Sequence, residues 1–179
     1  MVDKTRLVTT ILPQGNNTKG LFAVLKFIDG SYFSKYYVNA TFKEGNTTGL
    51  VSFYENGHSL QYTIDSEPQF EVTFDFPFYL THYSFMNAYY IYHRTYPIEW
   101  KIYGKNNGGI EREIDHRSGY FFCGENQTHC PPTIKTFSVN KPGIYTSFTI
   151  KGIRNSDLHP YLILSSFDFF GSICAIQKS

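Results

Sequence analysis

Eight residues, Gln69-Phe70-Glu71-Val72-Thr73-Phe74-Asp75-Phe76, alternate polar and apolar without a break. Successive side chains of a strand point to opposite faces, so Phe70, Val72, Phe74 and Phe76 share one apolar face. The segment therefore predicts a half-buried β-strand, whose apolar side needs a second layer to cover it. Further short strand candidates alternate with turn signals from Tyr36 onward, the spacing of an all-β domain. They are Tyr37–Phe42, Leu50–Tyr54, Tyr79–Phe85, Ile98–Tyr103, Ile110–Asp115, Thr133–Val139, Tyr145–Ile150 and Tyr161–Phe170. Asn56-Gly57, Pro77, Gly108-Gly109 and Pro142-Gly143 punctuate them. The 17 Phe and 15 Tyr among 179 residues suit this reading, because large flat side chains pack well on a pleated surface.

The first 37 residues have a different texture. Leu7–Leu12 predicts a strand, ended by Pro13-Gln14-Gly15. Leu21–Ile28 is apolar nearly throughout and is compatible with a buried strand or a two-turn helix. A short helix is the better expectation, since Leu21, Leu25 and Ile28 share a face and Gly30 supplies a stop. The expected organisation is an arm over residues 1–37, a sandwich over 38–171 and a tail over 172–179.

Charge and cysteines bound the compartment and the partners. A net charge of +1, with no large Lys/Arg cluster, gives no field for tracking a nucleic-acid backbone. No apolar run is long enough to cross a bilayer as a helix, and the first residues lack the apolar core of a signal peptide. Cys123 and Cys130 bracket six polar residues. Free thiols are one reading; a disulfide closing a surface loop is favoured, contributing about 2–3 kcal/mol for so small a ring. Zinc, with His116 and His129 as further ligands, lacks a second ligand pair at the required spacing. Cys174 has no evident partner in the sequence. Asn16, Asn39, Asn46 and Asn126 each begin an Asn-x-Thr sequon, against about two expected by chance. The sequon inside the Cys123–Cys130 loop suits an extracellular or cell-surface location; a cytoplasmic one is the alternative.

Several segments, in order, resemble the discoidin (coagulation-factor type C) domain of the galactose-binding-like fold. They are Leu50-Val51 with Asn56-Gly57, then Phe70–Phe76, Thr81–Phe85, Arg94-x-x-Pro97-x-x-Trp100-x-Ile102-x-Gly104, Phe148–Ile153 and Leu162–Gly171. The resemblance implies an eight-stranded antiparallel jelly-roll β-sandwich, here preceded by the helix-containing arm. It also implies binding through three loops at one end: Tyr54–Tyr62, Asn87–Tyr96 and Arg154–His159. Two family features are missing. The early turn lacks the Asp that often holds calcium, so no metal or other cofactor is expected despite Asp168. No cysteine near residue 38 can staple the first strand to the last.

The middle loop carries four Tyr, one His and one Arg in ten residues. Aromatic planes cover the C–H faces of sugars, and Arg, His or Asn hydrogen-bond their hydroxyls. Tyr89, Tyr90, His93 and Arg94 are the ligand-contact candidates there, joined by Asn56 and His58 from the first loop and Asn155, Asp157 and His159 from the third. Core packing of Arg94 and of a tyrosine, and a turn role for Asn56, are the competing readings. The loops carry no Lys and no Trp, the opposite of a membrane-inserting variant. Catalysis has little support: Glu111 and Glu113 alternate on one strand candidate, which sends His116 to the other face, and no nucleophile elbow or phosphate loop is present. The expected function is non-catalytic recognition of a glycan or glycoprotein. The alternative is a protein–protein adhesion or assembly module, inside or outside the cell.

Overall fold

A computed structural model of the chain describes residues 5–11, 20–22, 24, 38–42, 69–87, 96–125, 127, 130–131, 133–158 and 164–176. Seven strands occur among them: β1 (Thr5–Ile11), β2 (Val38–Phe42), β3 (Gln69–Asn87), β4 (Pro97–Lys105), β5 (Arg112–Ser118), β6 (Ile134–Asn155) and β7 (Leu164–Ile176). All pairings are antiparallel, in the order β1-β7-β3-β6-β4-β5, with β2 added on β3. The strand candidate Leu50–Tyr54 lies outside the described residues.

Two expected boundaries are not boundaries. Gln69–Phe76 and Tyr79–Phe85 form one strand through Pro77, and Thr133–Val139 and Tyr145–Ile150 join through Pro142-Gly143. Proline removes one ladder donor but does not forbid a strand at an irregular point. Here the register between β3 and β6 slips twice, between Thr73 and Phe78 and again between Leu80 and His82, and the prolines fall within those slips. The irregularities let both strands change partners along their length. Early β3 pairs with β2 and with late β6; late β3 pairs with β7 and early β6. Late β6 also pairs with β4.

This sharing brings two layers face to face. Phe85 of late β3 and Trp100 of β4 belong to different parts of the sheet, yet their rings lie 5.5 Å apart in the core. The alternation read in the sequence is realised: Val72 and Phe74 are fully buried, and Phe76 stacks on Phe74 at 5.2 Å. One lobe of the core is almost all phenylalanine, with Phe148 4.9 Å from Phe169 and Phe22 5.1 Å from Phe167. Each such buried ring contributes roughly 1.5–3 kcal/mol.

The segment before β2 reaches into that lobe. Leu21, Phe22 and Val24 have helical backbone, and the Val24 N–H donates to the Gly20 carbonyl at 3.2 Å. The rest of the helix expected over 21–28 lies outside the described residues. The buried Asp168 carboxylate accepts from the Gly20 N–H at 3.0 Å and the Phe22 N–H at 2.9 Å. A carboxylate at the exposed donors of a first helical turn is a favourable arrangement. Asp168 therefore anchors the helical turn. β7 does not stop at Gly171 but continues to Ile176, because β1 pairs with residues 171–176. At Gly171 the chain passes so close to β3 that a side chain would overlap the Tyr79 carbonyl.

The other lobe is polar at its centre. Trp100 Nε1 donates to the Tyr83 hydroxyl at 2.9 Å, and that hydroxyl donates to Asp115 at 2.5 Å. Arg117 Nε and the Asn140 N–H reach the same carboxylate at 2.9 and 3.2 Å. Asp115 can point inward because β5 has a bulge: Ile102 pairs with Asp115 and Tyr103 with Glu113, leaving Ile114 as an extra residue. Ile114 and Asp115 are both buried, and the alternation restarts beyond them. This overturns the expectation that His116 faces away from Glu113. Both lie on the outer face, where His116 meets Glu99 at 3.1 Å and Glu113 meets Lys101 at 2.9 Å.

Candidate functional site

One end of the molecule collects the finish of β3, the start of β4, the finish of β5 and both ends of β6. Asn87 closes β3 and is buried. Its Oδ1 accepts from the Thr133 N–H at 2.6 Å, and its Nδ2 donates to the Pro131 carbonyl at 3.2 Å. Tyr96, just before β4, is also buried, and its hydroxyl donates to the Gly124 carbonyl at 3.3 Å. Cys123 and Cys130 are joined by a disulfide with an S–S distance of 2.12 Å. Both feet of the tyrosine-rich segment, Asn87 and Tyr96, are thus bonded to residues beside the two half-cystines. A disulfide that small confines its loop strongly, so the frame beneath the segment is fixed covalently as well as by hydrogen bonds.

A second expected loop meets the same frame. The Tyr96 N–H donates to Ser156 Oγ at 3.3 Å, and the Tyr96 carbonyl accepts the Ser156 N–H at 2.9 Å. Asn155 shapes this turn: its side-chain carbonyl accepts the Asp157 N–H at 3.0 Å, and its backbone carbonyl the Leu158 N–H at 2.9 Å. A short amide that bonds its own backbone two residues on is a turn former. Asn155 is 0% exposed, so its place is within the turn rather than at the rim. Asp157 is exposed there. Leu158 is exposed beside it with φ of 64°, a left-handed conformation that costs a β-carbon-bearing residue about 1–2 kcal/mol.

Of the nine ligand-contact candidates, the structure therefore places Asn155 and Asp157, and joins the base of their turn to the foot of the tyrosine-rich loop. Asn56, His58, Tyr89, Tyr90, His93, Arg94 and His159 lie outside the described residues. A fourth contributor to this end was not anticipated. Beyond β5, Gly119 donates its N–H to the Ile98 carbonyl at 2.8 Å with φ of 149°, and Tyr120 follows, 41% exposed. The signal in the sequence was Gly119-Tyr120-Phe121-Phe122-Cys123, a glycine opening an aromatic run into the disulfide. Phe122 and Cys123 turn into the core while Tyr120 stays out. Burial raises the pKa of the Tyr96 phenol, with smaller contributions from nearby Tyr120 and Asp157.

The described carboxylates on the outer face of the β4–β5–β6 sheet are paired with basic side chains. Glu99 meets His116 and, at 3.6 Å, Arg154. Glu111 accepts from the Thr149 hydroxyl at 2.6 Å and lies 3.9 Å from Lys151. The hydrogen bond from Lys101 holds Glu113 below its ordinary carboxylate value. Each of these acids has a cation beside it on the outer sheet face. Among the described residues no group of three or more His, Cys, Asp or Glu could hold a metal ion. Nor is any helix among them long and apolar enough to cross a membrane.

No protein-family model matches the sequence, and no curated protein is similar to it in sequence. Solved structures are similar in fold. The CpGH89CBM32-5 module of Clostridium perfringens, in complex with GalNAc-β-1,3-galactose, superimposes with a TM-score of 0.56 at 9% identity, over 75% of this chain and 95% of that one. The family 32 carbohydrate-binding module of C. perfringens NanJ, in complex with galactose, gives 0.52 at 12% identity over 77% and 92%. The family 32 module of Streptococcus pneumoniae EndoD gives 0.53 at 11% identity over 74% and 92%. Each module is matched over nearly its whole length, so the likeness is to an entire domain. The chain has the galactose-binding-like, discoidin-type fold of family 32 carbohydrate-binding modules.

Proposed function

We propose that this chain is a non-catalytic carbohydrate-recognition module, binding a glycan or glycoprotein through the loops at the disulfide-braced end. One observation carries the reading. A domain with the fold of sugar-binding modules has the feet of a tyrosine-rich loop, the Asp157 turn and an exposed Tyr120 tied into one frame. Fold alone does not fix function, and unrelated sites are grafted onto common folds. The residues at this end add the chemistry: aromatic planes for sugar faces, with polar side chains for hydroxyls. The two module complexes named above hold galactose or GalNAc-β-1,3-galactose, so galactose-containing glycans are the first ligands to try. The disulfide supports action outside the cell, where such bonds persist.

A single shallow sugar site binds at about millimolar Kd, about −4 kcal/mol, and such a module gains useful avidity only when repeated or linked to others. The test is a glycan array followed by calorimetry on the isolated domain. Specific binding that Tyr90→Ala or His93→Ala abolishes supports the reading. A domain that binds no glycan but forms a stable complex with a second protein chain supports the alternative, a protein–protein module.

A further inference from the structure

The geometry points to a ligand cleft over the start of β4, walled on one side by Tyr120, between β5 and the disulfide-closed loop, and on the other by Asp157, and suited to an uncharged sugar ring with adjacent hydroxyls. This rests on the carbohydrate-binding reading and names the contacts within it. β4 runs between β5 and β6 here: Glu99 pairs with Ser118 on one side and with Arg154 on the other, and Pro97 pairs with Asn155. Tyr120 follows Ser118 by two residues, and Asp157 follows Asn155 by two. Neighbouring strands lie about 4.8 Å apart, so the two walls rise roughly 10 Å from each other, about the room one ring needs when held from both sides. Tyr96 fills the floor. Its buried hydroxyl is held by Gly124, and its backbone by Ser156, so the floor ties both walls together.

The chemistry of the walls is complementary. The exposed ring of Tyr120 offers an aromatic face to the C–H side of a sugar. The Asp157 carboxylate accepts charge-assisted hydrogen bonds from a pair of hydroxyls on the ring edge. Its backbone N–H is bonded to Asn155, so the turn is set by that amide and the carboxylate is not needed to form it. Glu125 is exposed on the disulfide-closed loop that follows Tyr120. Two carboxylates at one rim repel an anionic ring, so the cleft selects neutral hexoses over uronic or sialic acids.

The test is a titration of methyl β-galactoside and galacturonic acid into the folded domain, followed by calorimetry and by the ring signals of Tyr120 in NMR. Methyl β-galactoside should shift the Tyr120 signals. Tyr120→Ala and Asp157→Ala should each weaken it about tenfold or more, a loss of about 1.4 kcal/mol, while Tyr120→Phe stays within about twofold. Galacturonic acid should bind more weakly than the neutral sugar. Both residues are exposed, so thermal unfolding of the variants should match the parent. If the galactoside binds the parent and both alanine variants equally, the cleft is wrong while the carbohydrate reading survives. If no neutral glycan binds the parent at about 10 mM, both fail together.

Discussion

Asp115 and Asp168 are both buried carboxylates in an aromatic core, yet they are held in opposite ways. Asp168 accepts from the backbone amides of Gly20, Phe22 and Phe169, two of them nearly 150 residues away in sequence. Asp115 accepts mainly from side chains, Tyr83 and Arg117, with one amide from Asn140. The first ties a distant segment to the sandwich; the second ties three strands already in register with one another or with a common neighbour. Backbone donors cannot be mutated away, so Asp168 has no substitute at its end of the contact. Side-chain donors can be removed one at a time, and Arg117, 23% exposed, can turn towards water. A carboxylate that holds amides is therefore the more brittle device.

The largest expected effect follows from that difference. Asp168→Ala strands buried amide donors and should cost about 3 kcal/mol, read as a lower denaturation midpoint in urea. Asp115→Ala should cost about 2 kcal/mol, because Arg117 regains water and only the Tyr83 hydroxyl and one amide lose an acceptor. Equal losses, or a larger one for Asp115, would break the comparison. Gly20→Ala sharpens it. A methyl group there would run into the Asp168 carboxylate and the Phe169 carbonyl, and the expected loss is about 2 kcal/mol. In an Asp168→Ala background much of that clash disappears, so the double variant should be milder than the sum of the singles. Strict additivity would mean that Gly20 and Asp168 do not act as a unit.

Neither aspartate's role could be read from the chain, although much else could. The alternation from Gln69 to Phe76 named the apolar face of early β3, and Asn106-Asn107-Gly108-Gly109 named a hairpin turn, where Gly108 has φ of 70° and the Gly109 N–H meets the Asn106 carbonyl at 2.8 Å. These are local signals, set by residues a few positions apart. What failed was non-local. Pro77 and Pro142 read as strand ends, but register slips against the partner strand accommodate both. The bulge at Ile114 shifts every later side chain of β5 to the other face, and only the pairing with β4 reveals it. The site follows the same rule. The aromatic richness of residues 89–96 is a local signal, whereas the place of Tyr120 depends on β5 ending beside the start of β4.

Tyr83→Phe asks whether the side-chain-held carboxylate loosens by degrees. It removes the donor to Asp115 and the acceptor of Trp100 Nε1, leaving both partners buried, and should cost about 1–2 kcal/mol at neutral pH. Burial first, and then the Asp115 charge, raise the Tyr83 phenol far above its ordinary value of 10.0. The unfolded phenol ionises near that ordinary value and the folded one does not. Its contribution is therefore complete below pH 10 and declines as the pH rises further towards the folded-state value. Alkaline unfolding of the parent should steepen above about pH 10, and Tyr83→Phe should flatten that limb. The same slope in both proteins would place the alkaline sensitivity on other tyrosines.

The smallest effect belongs to a carboxylate outside the core, and it sets the scale for the two inside. Glu113 lies on the open face of β5, 2.9 Å from Lys101, whose hydrogen bond lowers its pKa from the ordinary value of 4.5. A lowered folded-state pKa means that the pair stabilises the protein above pH 4.5 and that this contribution fades as the pH falls through the folded-state value. Solvent and salt screen such a pair, so its share is small at any pH. Glu113→Gln should leave the neutral-pH midpoint almost unchanged and flatten the acid limb slightly, an effect that about 0.5 M salt should largely erase. Adding the same salt to Asp168→Ala should not narrow its gap from the parent, since those donors have lost an acceptor where ions cannot reach. A loss for Glu113→Gln as large as that for Asp115→Ala would show that burial is not what separates the two classes of carboxylate.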